Sequence, residues 1–364
     1  MKTSLRLGSV SGIQISVHWT FLILIAWIVF NSLVRGLGME EAIWSVVFVL
    51  TIFGCVTLHE LGHALAAKRF QIKTRSITLL PIGGVAQMES LPEKPKEELI
   101  VALAGPAVNF LIVGVLFLVL RDSLDMETLT SLQPIGQSNF LYALMFVNFW
   151  LAIFNLIPAF PMDGGRVLRA LLAFRMSRTR ATQIAARLGQ LLAIGFIFLG
   201  LYSNPFLVFI GLFVFLGAES EAGHVQAQSL LKGYKVSDAL LKDTPVLSPD
   251  DTIRDAAGLL LRGQHKYFLV GSKGKPEGTI GRDDIIRGLE ASGGEASVRE
   301  AMQHKILYLT PDMPIESAWQ QMREQGCEFA LVSENDQYIG ALDLDNIAEM
   351  VMIRSAEQAK KGGS

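Results

Sequence analysis

Residues 42–66 read AIWSVVFVLTIFGCVTLHELGHALA, an apolar run carrying His59, Glu60 and His63 near its end. A helix that crosses the hydrocarbon core of a bilayer needs about 20 mostly apolar residues. This run has the length and composition, so it predicts a membrane-embedded helix. On such a helix residues i and i+4 point from one face. His59 and His63 can therefore reach one ion, and zinc accepts imidazole nitrogen at about 2.0–2.1 Å. Glu60, one residue along, is placed to address a water on that ion rather than the ion itself. Ionisable groups inside a span are costly and mark functional sites by default. A buried His–Glu hydrogen-bond network that braces helices is the structural alternative.

Five further segments come near the same length, at 17–34, 99–120, 140–159, 185–202 and 205–218. Only Ser203 and Asn204 separate the last two, which suits a tight helical hairpin. Basic residues then give the orientation, because cytoplasmic loops carry the excess of Lys and Arg. Lys2 and Arg6 precede the first segment. Lys68, Arg69, Lys73, Arg75, Lys94 and Lys96 follow the second, and Arg166, Arg169, Arg175, Arg178 and Arg180 follow the fourth. The first loop has Arg35 against Glu40 and Glu41, and the third has Arg121 against Asp122, Asp125 and Glu127. This alternation predicts six spans in a cell membrane with both termini in the cytoplasm. The N-terminal stretch lacks a clear small-x-small cleavage site after its apolar run, so it reads as a retained first span rather than a signal peptide.

Hydrophobic residues make up 51% of the 364, but the average conceals two halves. The first 220 or so residues hold the apolar runs, and the remainder reads as a soluble domain. A net charge of −2 gives no reason to expect a nucleic-acid partner. Two cysteines, Cys55 and Cys327, suggest neither a disulfide framework nor a Cys-rich metal site.

Catalytic zinc commonly has three protein ligands and keeps one position for water. The strongest third candidate is Asp163, in Asn155-Leu156-Ile157-Pro158-Ala159-Phe160-Pro161-Met162-Asp163-Gly164-Gly165 at the cytoplasmic end of the fourth segment. Pro158 and Pro161 break the helix there, and Gly164-Gly165 permits unusual backbone angles. The alternative for Asp163 is a helix N-cap. Asn155 is a candidate for orienting substrate or steadying an oxyanion, against a plainer role in interhelical hydrogen bonding, which also fits Asn148 and Asn109. His18 reads as interfacial, and His224, His265 and His304 as surface or packing residues.

Beyond a polar linker at 221–235 lies an internal repeat with an offset of 62. Val236-Ser-Asp-Ala-Leu pairs with Val298-Arg-Glu-Ala-Met, and Leu247-Ser-Pro-Asp with Leu309-Thr-Pro-Asp. Each unit reads as a short helix, an amphipathic helix after Pro-Asp, two apolar strands and a further helix. The expected boundaries are 1–220 for the membrane core, 236–294 and 295–352 for the repeats, and 353–364 for a flexible tail.

On His59-Glu60-Leu-Gly-His63, Gly105-Pro106-Ala-Val-Asn109 and the Asn155 to Gly165 segment, the chain resembles the site-2 protease family of intramembrane metalloproteases. The repeat resembles a tandem pair of cystathionine-β-synthase (CBS) domains, and one six-span prokaryotic branch of that family carries such a pair. The resemblance implies a polytopic α-helical membrane protein with six transmembrane helices and a C-terminal α/β tandem CBS domain. It implies one Zn2+ per chain on His59, His63 and Asp163, with Glu60 activating the water. The implied partners are the lipid bilayer and a single-span membrane protein, cut within its membrane segment. CBS pairs commonly bind adenine nucleotides through a Ser/Thr followed three residues later by Asp. Here those positions are Gly281 with Asp284 and Asp343 with Asn346. Neither has the hydroxyl, so a structural or homodimerising role competes with nucleotide sensing.

The segment Thr78 to Met88 reads as a short membrane-associated β-hairpin turning near Gly83 and Gly84. Its edge is expected either to add substrate as an extended strand or to serve as an ordinary connection. Two non-protease readings compete: a CBS-regulated transporter or channel, and a proteolytically inactive binder of membrane proteins. Neither explains the complete set of three ligands and a base.

Overall fold

The computed structural model describes residues 4–36, 38–81, 83–88, 92, 94–121, 135–263, 265–272, 275–335 and 337–362. The expected acidic residues of the third loop, Asp122, Asp125 and Glu127, and the basic Lys2 lie outside them. The chain forms two compact units, Met1–Gly223 and His224–Ser364.

The first unit opens with strands β1 (Ser4–Val10) and β2 (Ile13–His18), joined by a turn in which Ser11 and Gly12 both have positive φ. Such turns follow the twist of a two-residue hairpin. Helices α1 (Thr20–Val34) and α2 (Met39–Arg69) follow. Glu40 and Glu41 stand in the first turn of α2 and Lys68 and Arg69 in its last, each complementing the helix dipole. Next come β3 (Thr74–Leu80) and β4 (Gly83–Met88), then α3 (Pro95–Leu120), α4 (Phe140–Asn155) and α5 (Asp163–Ala173). The unit's last helices are α6 (Arg178–Tyr202) and α7 (Pro205–Leu231), and α7 runs on past residue 223.

Among the described residues, four helices are long and apolar enough to cross a membrane: α2, α3, α6 and α7. Helices α1 and α4 are apolar but shorter. This corrects the expectation of six full-length spans. The physical cause is local at both sites. Residues 17 and 18 belong to β2, which delays α1 to Thr20. Pro158 lacks an amide hydrogen and disfavours helix in the residue before it, so α4 stops at Asn155. The chain is a polytopic α-helical membrane protein. Many large apolar side chains on these helices face outward, among them Leu22, Trp27, Phe30, Leu111, Phe117 and Phe198.

The hairpin expected near Gly83-Gly84 is present, but as half of a four-stranded sheet in the order β1-β2-β3-β4. Strand β2 runs parallel to β3, with Ile15 opposite Ile77. The sheet packs on α2 through Ile13, Leu61, Ala64, Ile77 and Leu79. A membrane location for the hairpin is not indicated.

Helices α2 and α3 approach closely where Gly62 lies: a Cβ there would meet the Ala104 carbonyl oxygen at 2.9 Å. Small residues at such crossings allow backbone contact between membrane helices. Gly164 and Gly165 do the same for α5. Neither has a positive φ; a Cβ on either would run into the backbone of residues 156–160. They are glycines for close approach rather than for unusual backbone angles.

The second unit holds two three-stranded sheets. The first is β5 (Val246–Leu247), β6 (Tyr267–Ser272) and β7 (Lys275–Gly281); the second is β8 (Tyr308–Leu309), β9 (Phe329–Glu334) and β10 (Gln337–Asp343). Each strand of the second sheet starts 62 positions after its counterpart: 246 and 308, 267 and 329, 275 and 337. Helices α8 (Ile253–Arg262) and α9 (Arg282–Ser292) serve the first sheet. After the short α10 (Val298–Ala301), α11 (Ile315–Gln325) and α12 (Leu344–Gly362) serve the second. The lead-in of each repeat packs into the other's core. Val236 and Ala239 join Leu309, Ile315 and Leu342, whereas Val298 and Met302 join Leu247, Ile253 and Ile280. Residues 221–231, expected as a linker, continue α7, and α12 extends through most of the expected tail.

Candidate metal centre

His59 and His63 lie on one face of α2, and Asp163 is the first residue of α5. All three are buried. The Nε2 atoms of the two histidines are 3.1 Å apart, and Asp163 Oδ2 lies 3.2 Å from His59 Nε2 and 3.1 Å from His63 Nε2. A tetrahedral ion bonded at about 2.0–2.1 Å holds its ligand atoms about 3.3 Å apart. The triangle is therefore the size one zinc-like ion requires, with a fourth direction left over.

The far side of each ring explains its orientation. His59 Nδ1 donates to Asn109 Oδ1 at 2.7 Å, and His63 Nδ1 donates to the Val101 carbonyl at 2.7 Å. Both partners are oxygens that only accept, so each Nδ1 carries a proton, and Nε2 is the nitrogen each ring can offer to an ion. Two ring nitrogens and a carboxylate oxygen thus converge on one point, a set that a cation satisfies. Asp163 is not a capping residue: Met162 occupies the N-cap position, and the carboxylate faces the imidazoles.

Helix α3 forms the wall behind the rings. Val101, Gly105 and Asn109 recur every four residues and share a face. A Cβ on Gly105 would collide with Nε2 of both histidines. On the other side, Gly84 of β4 packs on Glu60, where a Cβ would come within 2.8 Å of Glu60 Cγ. Gly83, with φ of 138°, opens the same strand. Asn155 ends α4 and donates to the Leu151 carbonyl in its own helix.

The sequence points to the three residues that the fold brings together but not to most of the groups that surround them. Val101 acts through a backbone carbonyl, which no side-chain motif advertises. Asn148 reads only as a generic interhelical polar residue, and Asn109 carries no role in the sequence beyond that and its place in the Gly105 to Asn109 motif. Arg169 read as a loop charge, yet it is completely buried. It bonds Glu98 through Nε at 2.7 Å and Glu221 through Nη1, and it stacks over the Phe160 ring.

In the second unit a cavity of about 560 Å³ lies against both sheets, lined by Lys266, Arg282, Arg287 and Lys305 together with Asp283 and Asp345. Burial and the nearby Glu328 carboxylate push the Tyr267 hydroxyl there above its ordinary range. Asp284 already accepts from the Gly281 amide and from Gln303, and Asn346 donates to the Ala239 carbonyl.

A family model described as peptidase family M50 matches residues 47–126 and 123–196, and a CBS-domain model matches residues 236–291 and 298–353. A zinc metalloprotease of Methanocaldococcus jannaschii is 37% identical over 84% of this chain and 85% of its own. Stage IV sporulation protein FB of Bacillus subtilis is 28% identical over 43% of this chain and 50% of its own. A solved site-2 protease from Methanocaldococcus jannaschii is 39% identical, with a TM-score of 0.44, covering 60% of this chain and 95% of its own. The chain belongs to the site-2 family of zinc metalloproteases, peptidase family M50, and carries a C-terminal CBS-domain pair.

Proposed function

We propose that this chain is an intramembrane zinc endopeptidase that cuts the membrane segment of single-span proteins. The observation that carries the reading is the ligand set: two imidazole Nε2 atoms and one carboxylate oxygen, 3.1–3.2 Å apart, inside an apolar helical unit. His59, His63 and Asp163 would hold the ion. A zinc ion there supplies Lewis-acid polarisation of a water and of the scissile carbonyl. Glu60 takes the proton of the attacking water and delivers it to the departing amide nitrogen. Asn155 would orient the substrate carbonyl.

A peptide bond within a helix is shielded by its own hydrogen bonds, so the substrate must be extended before it is cut. Strand β4 supports this step. It is the edge of its sheet, and its Gly84 touches the proposed base. An extended substrate segment would add to that edge through main-chain hydrogen bonds. An orientation with both termini in the cytoplasm completes the reading. The membrane core ends near residue 220, and the CBS repeats start at 236 and 295. The pair would act in regulation or in dimerisation. Adenine nucleotide has a weaker case, because Asp284 and Asn346 are already engaged within the fold.

The test is Glu60→Gln in purified protein with a single-span substrate. We expect normal zinc content and no cleavage. A mutant that cuts at the wild-type rate would remove Glu60 from the mechanism. Wild-type protein that binds zinc yet cuts no single-span substrate would favour an inactive binder, and ion flux through it would favour a channel.

A further inference from the structure

We infer that Asn109 and Asn148 are positioning residues that set the metal-binding tautomer of His59. The inference rests on the zinc reading above and adds two residues to it. Asn109 Oδ1 accepts the His59 Nδ1 proton at 2.7 Å. That bond works only while the Asn109 amide keeps its oxygen toward the ring. Turned over, the amide would present its NH2 group, the proton would move to Nε2, and the lone pair aimed at the ion would be lost.

Asn148 prevents the turn. Its Oδ1 accepts from Asn109 Nδ2 at 3.3 Å, so the Asn109 nitrogen is held on the side away from His59. Asn148 is itself fixed, because its Nδ2 donates to the Leu144 carbonyl at 2.8 Å within α4. Both amides are essentially inaccessible, at 1% and 0% exposure, so water does not compete for these bonds. The chain of polarity runs from the α4 backbone through two amides to one ring nitrogen. Each amide nitrogen in it faces an acceptor in this arrangement, and the Asn109 nitrogen would face a donor or lose its partner if its amide turned. His63 needs no such chain, since the Val101 carbonyl cannot turn over. Outer partners of metal-bound histidines commonly change affinity by about 10–100-fold when removed.

The experiment is zinc affinity of the full-length detergent-solubilised protein, measured by competition with a chromogenic chelator. The variants are Asn109→Leu, Asn109→Asp, Asn148→Leu and His59→Ala, with thermal unfolding of each by tryptophan fluorescence. We expect Asn109→Leu to weaken zinc by about 10–100-fold. Asn109→Asp keeps an acceptor toward Nδ1 and should bind within about threefold of wild type on the same grounds. Asn148→Leu, which frees the Asn109 amide to turn, should fall between. A packing role predicts the reverse order: leucine tolerated, and buried aspartate destabilising. Wild-type affinity in Asn109→Leu while His59→Ala binds no zinc would overturn the inference and leave the metal reading standing. Equal losses of zinc and of thermal stability in Asn109→Leu and Asn109→Asp would also overturn it. Failure of the wild type to bind zinc would remove the metal reading, and this one with it.

Discussion

Gly105 has no room for a side chain beside the proposed metal centre. Its missing side chain leaves the space in which both imidazoles bring Nε2 toward Asp163. Alanine keeps helix propensity, so any effect of Gly105→Ala must come from the contact itself. We expect loss of bound zinc with the α3 helix intact. Circular dichroism unchanged alongside a metal content below half of wild type would bear this out. Retention of full zinc content would show that the rings can retreat. The spacing of His59 and His63 was legible because i and i+4 share a helical face. The need for glycine at 105 was not, because it arises from a second helix brought alongside the first.

At the scale of elements, two features control where Asp163 stands. Helix α5 starts with that residue and is anchored six positions later by Arg169, which reaches Glu98 on α3 and Glu221 on α7. Breaking a buried ion pair by removing one partner costs about 3–5 kcal/mol, because the other charge stays buried. Arg169→Met should lower the unfolding temperature of the first unit markedly. Arg169→Met combined with Glu98→Gln should recover part of it, and an identical drop in the double variant would argue against the pairing. The second feature is the β4 edge. Proline scanned singly through Val85, Ala86 and Gln87 should abolish cleavage at whichever positions point an amide outward, since proline removes that donor yet is tolerated on edges. Cleavage intact at all three, in folded protein, would dismiss strand addition. The β3–β4 hairpin was readable from the Gly83-Gly84 pair, which opens β4. The second N-terminal strand is written in the alternation of Ile13, Ile15 and Val17 with Gln14, Ser16 and His18, a period-2 signal overshadowed by the apolar run that starts at Trp19.

The whole molecule divides into two units with separate apolar cores. A ligand that binds only the folded form stabilises it by about 4 kcal/mol at a thousandfold excess over its Kd. Zinc should therefore raise the melting transition of the membrane unit alone. Calorimetry with and without chelator is expected to show one transition that moves and one, belonging to the CBS pair, that stays. A shift of both by the same amount would mean that the two units unfold as one.

The sequence by itself determined the apolar segments, the two-histidine face, the carboxylate after the proline break and the 62-residue repeat. Each of these is a periodicity or a local breaker, and local backbone geometry is enough to read it. Tertiary structure decided the rest. It closed a sheet from strands some 60 residues apart and shortened α1 and α4. It crossed the lead-in of each CBS repeat into the core of the other. It also brought Asp163 to within 3.2 Å of His59, a hundred residues away in the chain. These features depend on which surfaces meet, and a backbone carbonyl at Val101 or an absent side chain at Gly105 acquires meaning only when another element arrives against it.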